Sequence, residues 1–258
     1  MESVRPARRA LVRRPAPNLA DGQLTHIKRT PVDVELAVAQ WRNYVAALAA
    51  EGCETVEVAP ADDLPDSVFI EDAVVLFGGI AVVTSPGAPS RRAETAGAEA
   101  AVRGLGIPVH HIALPGTLDG GDVLKVGMTV YVGQSLRTNA EGTSQLREIL
   151  APLGYTVVAV PISRALHLKT AVTALPDGTV IGYPPLVDDP GVFDRFVPVP
   201  EATGTAVVVL DGETVLMSSA APRSAALFGR LGYRVVTVDI SEFEKLEGCV
   251  TCLSVRVR

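Results

Sequence analysis

The chain is short of several features that mark whole classes of protein. Its 258 residues include three cysteines, at positions 53, 249 and 252, too few for the disulfide framework of a small secreted domain. No apolar run approaches the roughly 18 residues that a membrane span needs. Residues 1–6 are partly basic and lack the apolar centre of a secretory signal. These absences predict a soluble cytoplasmic protein that does not bind membranes.

Positive charge is also scarce. The formal net charge is −6, which argues against nucleic acid as a partner, because phosphate binding needs a basic face. Hydrophobic residues make up 48% of the chain and charged residues 20%, the balance of an ordinary globular protein with enough material for a core. Only turns rich in glycine and proline separate the apolar segments, so we expect a single domain spanning residues 1–258.

Metal ligands are few. Cys249 and Cys252 form a Cys-x-x-Cys pair that could be half of a zinc site or a redox dithiol. Zinc needs two further ligands, yet there is no second cysteine pair, and the adjacent His110 and His111 would point to opposite faces of a strand. We therefore expect no metal and no cofactor. Redox chemistry, inert packing and a nucleophile at Cys252 stay open as interpretations of the pair.

What the chain has instead is a repeated pattern. Two β-rich runs around a glycine turn, a helical run and a third β-rich run follow one another four times. The glycines of the four turns, at positions 78, 127, 178 and 212, lie 34 to 51 residues apart. The third copy is the least regular, with Leu168–Ala174 as its first strand and a weak helix near Val192. Repeats of this size are typical of solenoids and propellers.

A fifth copy is split between the two ends of the chain. Thr251–Arg256 and Arg9–Arg13 supply its first two strands, Val34–Ala50 an amphipathic helix and Thr55–Val58 its third strand. A unit shared between both ends closes a ring and removes exposed sheet edges. The predicted fold is therefore α/β: a pseudo-fivefold propeller of five strand–strand–helix–strand units around a central channel, closed by the C-terminal strand.

Polar residues collect in the segments that lead into these units, where a ring would turn them toward a common axis. Taken singly, each has a plain explanation: a solvated acidic edge, a turn, a structural histidine or a packed thiol. Together they contain the nucleophile, base and orienting carboxylate that covalent catalysis requires. The set comprises Asp66, Glu71 and Asp72 of the first copy, Asp119 of the second, His167 of the third and Cys252 of the split copy.

Six motifs follow one another in order along the chain: Pro65–Asp72, Ser85–Arg92, Leu118–Leu124, Arg137–Asn139, Leu166–Lys169 and Gly248–Ser254. With these motifs the chain resembles the dimethylarginine dimethylaminohydrolase family from residue 10 to residue 257. That family belongs to the guanidine-modifying superfamily, whose pseudo-fivefold propeller agrees with the repeats.

The resemblance implies a catalytic set. Cys252 would be the nucleophile, His167 the general acid and base, and Asp119 the carboxylate that orients His167. Asp72, with Glu71 beside it, would hold the guanidinium group. Cys249 receives no role.

It also implies how the amino-acid end of a substrate is held. Arg91 and Arg137 would hold the α-carboxylate by paired donors. Asp66 and the carbonyl group of Leu24 would bind the α-amine, and the main chain of Leu246 would line the pocket. The expected partner is accordingly a small molecule.

The implied reaction fits the residues without a cofactor. A guanidinium carbon needs a strong, soft nucleophile, and a thiolate is the best that a side chain offers. Hydrolysis of Nω-methylated arginine, asymmetric dimethylarginine or monomethylarginine, would pass through an S-alkylthiouronium on Cys252. It would release citrulline with dimethylamine or methylamine, His167 first donating a proton and then activating water.

Further expectations concern specificity, alternative functions and assembly. In arginine deiminases an aspartate follows the catalytic histidine by two residues, whereas this chain has Lys169, and one acceptor fewer favours a methylated guanidine. An arginine deiminase-like or other guanidine hydrolase is the alternative enzyme. A ribosome-binding ring like translation initiation factor six is the non-enzymatic alternative, and a homodimer is compatible with the pattern.

Overall fold

The computed structural model describes residues 8–257, so residues 1–6, on which the expectation of no signal peptide rests, are not covered. The α-helices are α1 (Val34–Ala50), α2 (Thr95–Gly104), α3 (Ala140–Leu150), α4 (Leu168–Ala171), α5 (Pro222–Arg230) and α6 (Ser241–Glu244). The strands are β1 (Arg8–Val12), β2 (Cys53–Glu57), β3 (Val74–Phe77), β4 (Ile80–Val83), β5 (Val109–His111), β6 (Val123–Val126), β7 (Thr129–Gln134), β8 (Thr156–Pro161), β9 (Val172–Ala174), β10 (Val180–Gly182), β11 (Phe196–Pro198), β12 (Val207–Val209), β13 (Thr214–Ser218), β14 (Arg234–Val238) and β15 (Val255–Val257).

These strands form five three-stranded sheets of one design. In each sheet the middle strand pairs antiparallel with the first strand of the unit and parallel with the third. One sheet joins the two ends of the described chain, with Arg9 of β1 opposite Val257 of β15 and Glu54 of β2. The predicted pseudo-fivefold α/β propeller, with one unit shared between the ends, is confirmed.

In four units a helix connects the second strand to the third. Parallel strands need a long crossover connection of this kind. α1 agrees with its predicted bounds, and it is capped by the preceding Asp33, whose side chain accepts a hydrogen bond from the Leu36 N–H. Its buried face includes Trp41, Tyr44 and Leu48. No helix among residues 8–257 is both long enough and apolar enough to cross a membrane.

The third copy differs from its prediction. Residues 168–171 form the helical turn α4, and only Val172–Ala174 is a strand. No α-helix forms near Val192; the crossover consists of the 3-10 turns Pro184–Leu186 and Pro190–Val192. Proline at the start of each turn removes a backbone donor, which prevents a continuous helix through this segment.

The segments that lead into the sheets are turns rather than strands. Val68–Leu76 has the composition of a strand, but Ile70–Asp72 is a 3-10 turn and the strand begins at Val74. Likewise, the strand predicted over Thr251–Arg256 is confined to Val255–Val257. A turn lets neighbouring side chains point the same way, which strict alternation along a strand forbids. The polar residues of these segments can therefore meet.

Five clusters of buried apolar side chains fix the ring. Each cluster combines residues of two neighbouring sheets; one joins Leu11 of β1 with Val74 of β3, and another joins Val82 of β4 with Val130 of β7. Burying such side chains stabilises the fold by about 1.5–3 kcal/mol each. The seams between units are thus apolar and rigid, which holds the leading turns in fixed positions.

Candidate active site

The leading turns converge on one narrow cleft. Its free space is about 20 Å³, about enough for one water molecule. The cleft is lined by Gln23, Asp66, Phe69, Asp72, Arg91, Arg137, Leu166, His167, Leu246, Glu247, Gly248 and Cys252.

Cys252 lies in the turn before β15, where its N–H donates to the Cys249 carbonyl oxygen at 3.1 Å. Its own carbonyl oxygen accepts from the Glu71 N–H at 3.2 Å, which ties this turn to the first unit. The side chain is 8% exposed, and its Sγ lies 3.2 Å from the Sγ of Cys249. The hydrogen bond with Cys249, burial and the charges of Glu71 and Asp72 raise the pKa of Cys252. Cys252 therefore rests as a thiol, and an added cation would favour its thiolate.

His167 immediately precedes α4 and faces two carboxylates. Its Nε2 lies 3.0 Å from Asp119 Oδ2, and its Nδ1 lies 3.9 Å from Asp72 Oδ1. Burial alone would lower the pKa of His167, but the charge of Asp72, the hydrogen bond with Asp119 and the charge of Asp122 raise it to about 9. His167 is thus an imidazolium at neutral pH, a proton donor in place.

Asp72 is the carboxylate that stays ionised. Its Oδ2 accepts from Arg91 Nη1 at 2.7 Å and its Oδ1 from the Gly121 N–H at 2.8 Å. Burial opposes ionisation, but the charges of His167 and Arg91 lower the pKa of Asp72 to about 2. Glycine is required at 121, because a Cβ there would lie 2.5 Å from His167 Nδ1 and 2.8 Å from Asp72 Oδ1.

Asp119 is fully buried behind His167. Its Oδ1 accepts from the Gly87 N–H at 2.9 Å, and its own N–H donates to Thr138 Oγ1 at 3.1 Å. These contacts fix the carboxylate, so that Oδ2 meets the imidazolium. The geometry can hold the ring in one orientation while it gains and loses a proton.

Asp122 is a residue of the site to which sequence reasoning gave no role. Its Oδ1 accepts from the Leu168 N–H at 2.9 Å, and its Oδ2 accepts from Ser135 and Thr138, each at 2.6 Å. Burial raises the pKa of Asp122 to about 6. It thereby holds the backbone next to His167. Its place at the start of a buried strand was the available signal, since a buried carboxylate needs partners.

The two arginines differ in what they contact. Arg91 is buried, with Nη1 on Asp72 at 2.7 Å and with Nε and Nη2 on the Glu94 carboxylate at 3.0 and 2.9 Å. Arg137 donates from Nη2 to Thr25 Oγ1 at 3.3 Å, while its buried Nη1 has no hydrogen-bond partner within residues 8–257. Arg137 therefore has a donor available for an anion, and Arg91 already has a partner at each nitrogen.

Glu71 and Lys169 lie beneath the cleft rather than in its wall. Glu71 Oε1 is 2.6 Å from Lys169 Nζ, and Oε2 is buried with no partner in the described part of the chain. Lys169 belongs to α4 and not to the strand predicted over Leu168–Ala174. The side-chain alternation of a strand therefore does not apply to its position two residues after His167. Both side chains line a cavity of about 250 Å³ bordered by the first strands of the sheets, which is the central channel.

The segment around Leu24 closes the cleft from outside. The Gln23 N–H donates to both oxygens of Asp66, at 3.2 and 3.1 Å. Gln23 lines the cleft, whereas Leu24 packs against the hydrophobic core. Glu247 accepts from the N–H groups of Thr25 at 2.6 Å and of the next residue at 2.8 Å.

The backbone of Glu247 has φ of 60°, a conformation that residues other than glycine rarely adopt. Such strain persists where the surroundings impose it, often beside a functional site.

Asp72, Asp119 and His167 offer three metal-ligand atoms within 4.8 Å of one another. Their partners make them a poor metal site. The imidazole would have to lose its proton, and Asp72 would have to share its charge with Arg91 at 2.7 Å. The arrangement is better suited to holding and transferring a proton.

Comparison with known families gives one direct match. The family described as arginine deiminase matches residues 48–221. A Streptomyces coelicolor protein named N(G),N(G)-dimethylarginine dimethylaminohydrolase is 62% identical over 253 residues, 98% of this chain and 98% of that one. The Pseudomonas aeruginosa protein of the same name is 37% identical over 249 residues, 95% of this chain and 98% of that one.

Solved structures of dimethylarginine dimethylaminohydrolases share the fold. One is a dimethylarginine dimethylaminohydrolase, a histidine-to-glycine variant as an adduct with S-methyl-L-thiocitrulline; its TM-score is 0.90 at 35% identity, over 96% of this chain and 99% of that one. Another is the Pseudomonas aeruginosa protein, a cysteine-to-serine variant complexed with citrulline; its TM-score is 0.89 at 35% identity, over 96% and 98% of the two chains.

Proposed function

Because the chain belongs to the dimethylarginine dimethylaminohydrolase family, we propose that it hydrolyses Nω-methylated arginine to citrulline and dimethylamine or methylamine. One observation carries the proposal: a buried thiol, an imidazolium and an ionised carboxylate line a single cleft, with a second carboxylate behind the imidazolium. The enzyme is thus a dimethylargininase that uses Cys252, His167 and Asp119.

The guanidinium group binds at Asp72, beside Cys252. The hydrogen bond with Cys249, burial and the charges of Glu71 and Asp72 raise the pKa of the thiol, and a cation at this place offsets those charges and lowers it. The Cys252 proton leaves to solvent, and the thiolate attacks the guanidinium carbon. Substrate binding therefore activates the nucleophile, and the resting enzyme keeps it protonated.

His167 donates its Nδ1 proton to the substituted nitrogen as the carbon–nitrogen bond breaks. Dimethylamine departs and an S-alkylthiouronium remains on Cys252. The neutral imidazole then takes a proton from water, whose oxygen bonds to the same carbon. The carbon–sulfur bond breaks, the thiolate leaves and citrulline is released. Asp119 keeps Nε2 in place through both proton transfers.

The amino-acid end of the substrate binds between charged groups. Arg137, with its unpartnered Nη1, holds the α-carboxylate. Asp66 exchanges its hydrogen bond from the Gln23 N–H for the α-amine, the Leu24 carbonyl assists, and the Leu246 main chain borders the side chain. Arg91 also contributes to binding of the α-carboxylate. Its main role is to hold the carboxylates of Asp72 and Glu94 in position through its ion pairs with them.

Specificity for a methylated guanidine rests on the number of acceptors. The salt bridge with Lys169 occupies one oxygen of Glu71, which leaves fewer acceptors for the N–H groups of unsubstituted arginine. A dimethylated nitrogen carries no N–H and needs no acceptor, and a monomethylated nitrogen carries one N–H fewer than an unsubstituted one. A site discriminates against a substrate that leaves its acceptors unpaired. The number of acceptors therefore determines whether unsubstituted or methylated arginine is preferred.

The remaining expectations are part of the same proposal. Residues 1–258 form one domain, the enzyme works in the cytoplasm and it needs no metal or cofactor. Its partner is the small substrate, with no nucleic acid or membrane. A homodimer stays a prediction.

Citrulline release from dimethylarginine, monomethylarginine, arginine and agmatine, measured side by side, tests the function. We expect turnover of the two methylated substrates, loss of turnover in Cys252→Ser, whose oxygen is too poor a nucleophile, and substantial turnover in Cys249→Ser. Turnover of arginine alone would favour the deiminase alternative. No citrulline from any substrate would favour a binding ring, and equal loss in both cysteine variants would overturn the assignment of the nucleophile.

A further inference from the structure

The nucleophile has a second thiol beside it. The Sγ atoms of Cys249 and Cys252 are 3.2 Å apart, and the hydrogen bond from the Cys252 N–H to the Cys249 carbonyl closes the turn between them. A turn of this type brings the two Cα atoms to less than about 7 Å, and disulfides span Cα distances of about 4.4–6.8 Å. The two sulfurs have to approach by about 1.1 Å to reach the bond length of about 2.05 Å.

The two thiols face different spaces. Cys252 lines the cleft, whose free space of about 20 Å³ leaves little room for a reagent. Cys249 is half-buried and lines a second cavity of about 290 Å³, whose wall includes the exposed Ile27. A small oxidant therefore reaches Cys249 before it reaches the nucleophile.

We propose that Cys249 and Cys252 are a modification site, at which a peroxide converts the pair into a disulfide that reversibly switches the enzyme off. Cys249 is the sulfur that meets the oxidant, and Cys252 is the sulfur that completes the bond. The off state follows directly, because a disulfide sulfur cannot attack a guanidinium carbon.

The chemistry balances with one peroxide. The Cys249 thiolate attacks a peroxide oxygen, so a sulfur–oxygen bond forms, the oxygen–oxygen bond breaks and hydroxide leaves as water. Cys252 Sγ then attacks the Cys249 sulfur, the sulfur–sulfur bond forms and the sulfur–oxygen bond breaks. The second hydroxide takes the Cys252 proton and also leaves as water. Two thiols lose two electrons to the peroxide, and a dithiol reductant returns them by exchange.

The ionisation of the pair favours this order. A hydrogen bond from Cys252 lowers the pKa of Cys249, and Thr251 Oγ1, 3.3 Å from Cys249 Sγ, supports the thiolate. The more acidic thiol is thus the more accessible one. Thiolate character together with access is what makes a cysteine sensitive to oxidation.

The test uses the whole enzyme and hydrogen peroxide. Trypsin should release Leu246–Arg256, which contains both cysteines and follows Lys245. After peroxide treatment we expect this peptide to have lost two hydrogens, with a parallel loss of activity, and we expect dithiothreitol to restore both. The peptide mass does not depend on turnover, so this result remains readable even if the proposed function fails.

Two variants sharpen the test, each compared with its own untreated activity. Cys249→Ser should lose activity several-fold more slowly, since the more accessible thiol is gone, and its peptide should gain oxygen instead of losing two hydrogens. Cys53→Ser, changed at a buried cysteine of β2, should behave as the unmodified enzyme does. Equal peroxide sensitivity of Cys249→Ser and the unmodified enzyme would overturn the proposal, as would loss of activity without the disulfide.

Discussion

The first two units of the ring, β3–β5 and β6–β8, contribute the same two kinds of residue and connect them differently. Each has a carboxylate in its leading turn and an arginine after its second strand. In the first unit these residues pair, with Arg91 Nη1 2.7 Å from Asp72 Oδ2. In the second the ion pair is longer, with Arg137 Nη1 3.9 Å from Asp119 Oδ2 and no hydrogen bond between them, and Asp119 instead binds His167 at 3.0 Å.

The difference shows how one repeat yields two tasks. Where the arginine pairs within its own unit, its charge makes a buried acidic cluster tolerable. Where the ion pair is longer, the carboxylate is available to a histidine from the next unit, and the arginine to a ligand. Breaking each contact in turn should therefore affect stability in one unit and catalysis or binding in the other.

Arg91→Ala should have the largest effect, because it reduces both stability and activity. It leaves Asp72 and Glu94 buried without their cation, and breaking a buried ion pair costs about 3–5 kcal/mol. Urea denaturation measures the loss. Arg92→Ala is the control, since the Arg92 side chain donates from Nε to the Pro86 carbonyl oxygen, at 3.2 Å, and forms no ion pair with residues 8–257. Similar stability of the two variants would contradict a structural role for Arg91.

Asp119→Asn should reduce kcat by about 10²–10⁴-fold, the usual contribution of a positioned acid or base. It also removes a contact that raises the pKa of His167 to about 9, so the alkaline fall in kcat should move to lower pH. That pKa is above the unfolded value of about 6.5. The stability that His167 contributes is therefore complete below pH 6.5 and is lost as pH rises through 9. The variant should lose less stability over this interval. An unchanged pH profile of kcat would show that Asp119 does not influence the pKa of His167.

Arg137→Ala should leave stability nearly unchanged and raise KM for methylarginine. Loss of a hydrogen bond to a charged group costs about 1.5–3 kcal/mol, or roughly 10- to 150-fold. Agmatine-type guanidines lack the carboxylate and should show no such penalty. The exposed Arg147→Ala serves as a control for loss of charge. If both substrate types were penalised equally, Arg137 would not be the carboxylate ligand.

Much of the fold was predictable because glycine turns divide the chain into copies of one unit. The split unit followed from the same pattern. The third copy was not predictable in detail, because Pro184, Pro185 and Pro190 replace its helix with 3-10 turns. The leading turns were missed because runs such as Val68–Ile70 have the composition of strands, and their conformation is decided by contacts made across the ring.

The candidate site was predictable as a set of residues but not as a set of bonds. Seven of the ten expected residues line the cleft, whereas Asp119 lies behind it, Glu71 below it and Leu24 beside it. The pairing of Arg91 with Asp72 joins residues 19 positions apart, and no local pattern specifies it. The contact of Cys249 with Cys252 was closer to the sequence, since three residues span one turn.

The Glu247 contacts connect the closed cleft to substrate affinity. A cleft with about 20 Å³ of free space is too small for an arginine derivative, so part of its lining must move before a substrate enters. We expect the segment of Gln23 and Thr25 to be that part, since hydrogen bonds to Asp66 and Glu247 hold it in place. Whatever free energy these bonds give the closed state lowers the apparent affinity for substrate, because only the open fraction of molecules binds it.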